Sequence, residues 1–219
     1  MIEASAGAKL KARTVAEVSS AIREAIISGE FAPNQRLIEA DLSALFGASR
    51  ATVRTALHEL ATVGLVDRMP NRGSRVRAVS LEEAVEILEV RIGLEELCAA
   101  KAAQHVTDDE IGEFRLSRAA LVATVESGDL IGYSRLNQEL DQRIRDISRH
   151  ATAVEIIERL RAQSVRHQFR LAFQPGRAAV SGPEHVAIID AVIARNSVAA
   201  AEATRAHLMG VIDALREIG

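Results

Sequence analysis

Residues 37–76, LIEADLSALFGASRATVRTALHELATVGLVDRMPNRGSRV, decide the fold of the N-terminal third of this 219-residue chain. Leu37, Ile38, Leu42, Leu45 and Phe46 form a short apolar pattern that ends at Gly47. Ser49 then offers a side-chain oxygen as an N-cap, and Val53, Ala56, Leu57, Leu60 and Val63 recur at helical spacing until Gly64. Two helices joined by a tight turn are predicted. Residues 65–69 and 74–79 are short segments separated by Pro70, Asn71, Arg72 and Gly73, which predicts a hairpin with a four-residue loop. Upstream, Val15, Val18, Ile22, Ile26 and Ile27 keep a helical period that stops at Gly29, with Pro33 four residues further on.

Helix, helix, turn, helix, hairpin is the order of a winged helix-turn-helix, and the polar face of its third helix suits base reading. At 100 degrees per residue Arg50, Arg54 and His58 fall at about 0, 40 and 80 degrees, beside a buried stripe of Val53, Ala56 and Leu60 at about 240 to 300 degrees. Two guanidinium groups therefore project together. Arginine pairs bidentately with guanine O6 and N7 in the major groove, Ser49 and Thr52 at the helix start can donate to a phosphate or base edge, and Arg72 at the hairpin tip can enter a minor groove. His58 reads as a surface histidine.

Composition agrees with a protein of this kind. Residues 1–79 hold 11 Lys or Arg against 8 Asp or Glu, while residues 80–219 hold 16 against 22, so a basic N-terminal domain (1–79) adjoins an acidic C-terminal one (80–219). The apolar fraction is 48% and the aromatic fraction 3%, which excludes a disordered acidic tail. No apolar run approaches the roughly 18 residues of a membrane span, and residues 1–11 lack a signal peptide's apolar core, so a cytoplasmic location is expected. The lone Cys98 cannot form an intrachain disulfide and reads as a small core residue.

The quoted stretch resembles the winged helix of the GntR family of bacterial transcription regulators. The resemblance covers about residues 10–79 and implies DNA contacts at Arg50, Thr52 and Arg54 of the recognition helix and at Arg72 and Gly73 of the wing. Where some members carry an arginine in a Glu-Arg-Glu segment of the second helix, this chain has Glu39-Ala40-Asp41, which predicts that this contact is missing.

Residues 80–219 show no strand alternation and break into about six helices, with punctuation at Thr107-Asp108, Gly128-Asp129, around residues 150–152, at Pro175-Gly176 and at Asn196-Ser197. Asp108, Asp129 and Ser197 are candidate caps. An antiparallel six-helix bundle is predicted, and the chain as a whole is mainly α. This pattern is similar to the all-helical FCD effector domain of FadR-type members, the shorter VanR-like group in particular.

That resemblance draws attention to Asn137, Asp141, His185 and His207. Asn137 and Asp141 are one helical turn apart, and imidazole and carboxylate donors suit zinc, nickel or manganese. Matching positions in the family are Asp, His, His and His, so a weak divalent site built on Asp141, His185 and His207, with Asn137, is expected. In a metal-free pocket His185 and His207 would instead donate to an effector carboxylate, with Asn137 orienting it, and binding would strengthen as pH falls toward about 6.5. Arg91 matches a family arginine and suits an anionic metabolite; an ion pair with Glu95 at i+4 is the competing reading. Arg166, with His167 and Arg170, either lines the cavity or faces a neighbouring helix.

Together these features imply a homodimeric, operator-binding regulator controlled by a small organic-acid or lipid-derived effector, in the manner of a repressor. Two alternatives remain open on the sequence: a metal-dependent helical-bundle enzyme, and a DNA-binding protein whose helical domain only dimerises.

Overall fold

The computed structural model describes residues 13–69, 73–172 and 174–218, and the chain divides after Ala78 into two compact units. The first unit opens with α1 (Val15–Ser28), which begins where Thr14 and Glu17 close a capping box. Glu17 N donates to Thr14 Oγ1 at 3.2 Å and Thr14 N to Glu17 Oε2 at 2.7 Å. The helix buries Val18, Ile22, Ala25 and Ile26, and it stops at Gly29, whose left-handed φ of 85° a side chain would resist.

The second apolar pattern is not wholly helical. Arg36–Leu37 form strand β1, and α2 spans only Glu39–Phe46. Leu37 pairs with Ser74 and alternates with exposed Arg36, so burial follows a period of two where helical spacing was expected. Of the five residues in that pattern Leu37 and Leu42 are buried, Ile38 and Leu45 are more than half exposed, and Phe46 meets Phe31 edge-on at 6.5 Å. After Gly47, α3 (Arg50–Thr62) starts at Ser49, which accepts from Thr52 N, and buries Val53, Ala56, Leu57 and Leu60.

Strands β2 (Val66–Met69) and β3 (Gly73–Val76) are antiparallel, as the hairpin reading required, but β1 adds a third strand on the far edge of β3, giving the order β1-β3-β2. Gly73 lies opposite Met69 as the first strand residue, with φ 82°, and residues 77–79 lie beyond the strand. Pro70, Asn71 and Arg72 fall outside the described residues.

The second unit holds, among the described residues, the six helices its punctuation predicted: α4 (Leu81–His105), α5 (Asp108–Ser127), α6 (Leu130–Ser148), α7 (Ala151–Ala172), α8 (Arg177–Ile193) and α9 (Ser197–Ile218). Asp129 caps α6 as expected, its Oδ1 accepting from Gly132 N at 2.9 Å. Asp108 and Ser197 do not cap; the oxygen one residue earlier does, with Glu110 N on Thr107 Oγ1 and Ala199 N on Asn196 Oδ1. Helix α4 packs against α6, α7, α8 and α9 and forms the centre of the unit. It runs antiparallel to α7: His167 Nε2 donates to Val79 O at 2.9 Å, while Cys98 packs with Ala153 and Ile157 at the other end. Cys98 is thus the core residue the sequence suggested, 1% exposed. Phe114, Leu121, Tyr133, Ile189 and Val192 centre the main apolar cluster.

Candidate functional site

Ser49, Arg50, Thr52 and Arg54 all lie on the first turn and a half of α3. The Ser49 hydroxyl serves the helix start: Oγ accepts from Thr52 N at 3.0 Å and lies 2.8 Å from Thr52 Oγ1. Arg50 and Arg54 are both exposed, on the face assigned to them from helical geometry. Gly73 opens β3, and Arg72 lies outside the described residues.

The residue that sequence reasoning missed is Glu39. It begins α2 and takes the side of Arg54 in a fork: Arg54 Nε donates to Oε1 at 2.9 Å and to Oε2 at 3.2 Å, and Nη2 donates to Oε2 at 2.7 Å. The hydrogen bond from Arg54, aided by the charges of Arg54, Arg50 and Arg68, holds the Glu39 carboxyl below its ordinary range against the opposing effect of burial. The signal was in view, since Glu39 sits in the segment where an arginine was sought, but a contact fifteen residues away leaves no local periodicity. His58 stays on the surface and accepts from Arg68 Nη1 at 3.2 Å.

In the helical unit the four residues picked out for a metal are only partly brought together. His185 lies inside α8, about two turns beyond its start, because Pro183 is accommodated within the helix and does not open it. Its ring is 1% exposed and 4.2 Å from that of His207, centroid to centroid. His185 Nδ1 lies 2.7 Å from Ser181 O, an acceptor only, so Nδ1 carries the proton. The same N–H faces Tyr133 Oη at 3.1 Å, and the Tyr133 hydroxyl donates to Ser181 Oγ. Among the described residues Nε2 is then a buried acceptor with no protein partner, and Asn137 Oδ1 is another. Burial, reinforced by the neighbouring His207, pushes the His185 pKa down to about 3. This corrects the expectation that His185 donates to a carboxylate and titrates near 6.5: the ring is neutral across the physiological range and accepts.

The other two members have partners of their own. His207 Nδ1 meets Glu184 Oε2 at 2.8 Å, and Glu184 also takes Arg177 Nη2 at 3.2 Å. Asp141 Oδ2 accepts from Arg161 Nη1 at 2.8 Å. Burial alone would raise the Asp141 pKa, but the charge of Arg161 first, then that of His185 once its ring is protonated in acid, and that of Arg145 bring it down to about 2. Among the described residues no three His, Cys, Asp or Glu side chains are grouped to hold a metal ion. The Arg161 guanidinium engages Asp141 Oδ2, one of the two oxygens a divalent ion would use, and His207 is paired with Glu184, so the donor set as arranged does not form the expected three-ligand site.

Arginine supplies the interior charge. Arg91 is 3% exposed; the ion pair with Glu95 forms, Nε donating to Glu95 Oε1 at 2.8 Å, while Nη1 is buried without a partner among the described residues. Arg166 Nη1, on α7, is also buried and without a partner among the described residues. Arg145, 5% exposed, reaches Gln142 Oε1 at 2.7 Å and ion-pairs with Glu158 at 3.0 Å. Arg145 could have been found by spacing, since Asn137, Asp141 and Arg145 recur at i, i+4 and i+8; Arg161 carried no such signal.

Comparison with known proteins places these features. Residues 14–76 match the family described as bacterial regulatory proteins, gntR family, and residues 86–210 match the FCD domain. The chain is 27% identical over 194 residues to the Nta operon transcriptional regulator of Aminobacter aminovorans, covering 88% of this chain and 90% of that one. It is also 27% identical over 202 residues to the HTH-type transcriptional repressor RspR of Escherichia coli (strain K12), covering 90% and 86%. Its fold matches E. coli McbR/YncC with a TM-score of 0.79 at 21% identity, over 95% of this chain and 99% of that one. A GntR regulator structure from Rhodococcus sp. RHA1 matches at 0.71 and 22% identity, over 94% and 98%. The enzyme alternative falls, since the gntR family and both sequence relatives are regulators, and no described helix is long and apolar enough to cross a membrane. A winged helix-turn-helix with two exposed arginines on α3, followed by a helical FCD domain that spans more than half the length, places the chain in the GntR family of DNA-binding transcription regulators.

Proposed function

We propose that the protein is a homodimeric repressor that reads a two-fold operator through Arg50 and Arg54, and that a small hydroxy- or amino-carboxylate bound in the helical unit releases it. The carrying observation is that, among the described residues, several polar atoms inside that unit are buried without a hydrogen-bond partner, four of which suit such a ligand: donors at Arg91 Nη1 and Arg166 Nη1, acceptors at His185 Nε2 and Asn137 Oδ1. Buried polar atoms without partners cost free energy that a ligand recovers. A carboxylate answers the guanidinium groups, and a hydroxyl or ammonium donor answers the imidazole and amide. A lipid-derived acid satisfies only the first pair. The reading needs no divalent ion, because Arg161 already supplies the positive charge at Asp141.

A ligand that favours the DNA-incompetent dimer about 100-fold contributes about 2.7 kcal/mol of coupling per site, enough to empty an operator. The test is a panel of hydroxy, amino, simple and fatty carboxylates, run with zinc or with a chelator, read by thermal shift and by release from a DNA duplex that the protein itself selects. Hydroxy or amino acids that raise the melting temperature and release DNA equally with and without chelator support the reading. Activity confined to zinc-loaded protein restores the metal site, and silence across the panel leaves a helical domain that only dimerises.

A further inference from the structure

We propose that Glu39 is a positioning residue for base recognition, gripping one edge of Arg54 so that its opposite end is presented, already oriented, to a guanine. The inference rests on the reading that α3 faces DNA. A guanidinium has five N–H donors in a rigid fork. Glu39 engages the edge formed by Nε and Nη2, at 2.9 and 2.7 Å. Among the described residues both hydrogens of Nη1 and the second hydrogen of Nη2 stay free, and one from each nitrogen points along the end of the fork, the pair that meets guanine O6 and N7.

The grip joins two elements of the unit, since Glu39 begins α2 and Arg54 lies in the second turn of α3. A long arginine side chain that is free in solution must lose rotamer freedom on reaching a base; one clamped beforehand has lost it on folding. A carboxylate on a DNA-facing surface would ordinarily repel phosphates. Here it lies within the field of Arg50 and Arg68 as well as Arg54, so the cluster keeps a positive excess. At the rim, Arg68 is itself held by His58 Nδ1 at 3.2 Å.

A plain structural clasp between α2 and α3 would give the same distances, and base preference separates the two. The full chain is presented with duplexes carrying about 20 randomised base pairs, enough for two half-sites one helical turn apart. Wild type, Arg54→Ala, Glu39→Ala and Glu39→Asp are each carried through selection, with melting temperatures recorded. The wild type is expected to select guanine at one position of each half-site, and Arg54→Ala to lose that preference. Glu39→Ala is expected to weaken it about tenfold at that position alone, with the slope of log affinity against log salt steeper by about one because a negative charge has left the face. Glu39→Asp, which keeps the charge, is expected to restore part of it. If Glu39→Ala keeps the guanine preference within about twofold, or flattens every position alike together with a fall in melting temperature, Glu39 is only a clasp. If Arg54→Ala loses no position, Arg54 reads no base and the inference fails with it. A wild type that selects no sequence overturns the operator reading itself.

Discussion

Replacing Arg161 with Met tests the interior electrostatics most sharply. The change nearly conserves volume and removes the guanidinium that lies 2.8 Å from Asp141, leaving a carboxylate whose side chain is 24% exposed. Asp141 is depressed from 3.8 to about 2, and at 1.36 kcal/mol per unit this contributes about 2 kcal/mol to folding at neutral pH. The sign follows from the direction: a carboxylate with a lowered folded pKa gives its full contribution above about pH 5 and loses it as pH falls through 3.8 toward about 2. Removing Arg161 uncovers the burial penalty as well, so Arg161→Met is expected to lose about 2 to 4 kcal/mol at pH 7. Part of that deficit should return by about pH 4.5, where the abandoned carboxylate takes up a proton. Urea unfolding read by tyrosine fluorescence suits the purpose, because Tyr133 is the one tyrosine of a chain without tryptophan and lies on α6 with Asp141. Asp141→Asn combined with Arg161→Met should recover most of the loss. If the single variant lies within about 0.5 kcal/mol of wild type, or the double variant is no better than the single, the pairing does not carry the stability assigned to it.

Three further outcomes are expected. His185, neutral down to about pH 3, should show no imidazole titration between pH 8 and 5 by NMR; because its folded pKa lies below the unfolded value of 6.5, wild-type stability should fall by about 1.4 kcal/mol per pH unit as pH drops from 6 to 4, and His185→Gln should flatten that slope. Phe114→Ala removes a ring with 0% exposure from the main cluster of the helical unit and should cost about 3 to 5 kcal/mol in the same unfolding assay. Ser49→Ala removes the oxygen that caps α3 and should cost about 1 kcal/mol, read by thermal unfolding of the winged unit followed by circular dichroism.

Sequence periodicity carried furthest where local chemistry alone sets the backbone. Gly29, Gly47 and Gly128 end helices with positive φ, Ser49 and Asp129 begin them, and all five were legible because caps and left-handed turns are properties of a few adjacent residues. Strand β1 was not legible: two residues make it, and what draws Leu37 out of a helix is Ser74, far along the chain. The same distinction runs through the sites. Arg50 and Arg54 share a face by simple rotation about one helix, whereas the partner of Arg54 is on another. The expected metal ligands were placed by resemblance to a family pattern, and the pattern carries no term for Arg161, which arrives from α7 to hold Asp141. The tautomer of His185 likewise depends on its contact with Ser181 O, one helical turn back, and on burial by other helices.

The central claim is that α3 reads DNA through its two exposed arginines. Its most direct measurement is a fluorescence anisotropy titration, at a fixed salt concentration near 0.15 M, of wild type, Arg50→Ala and Arg54→Ala on the duplex that wild type selects and on a scrambled duplex of the same composition. The account predicts that wild type prefers the selected duplex by about 1,000-fold or more, and that each substitution weakens binding to it by about ten- to a hundredfold while binding to the scrambled duplex changes far less. Equal binding of both variants and wild type to the selected duplex would contradict it.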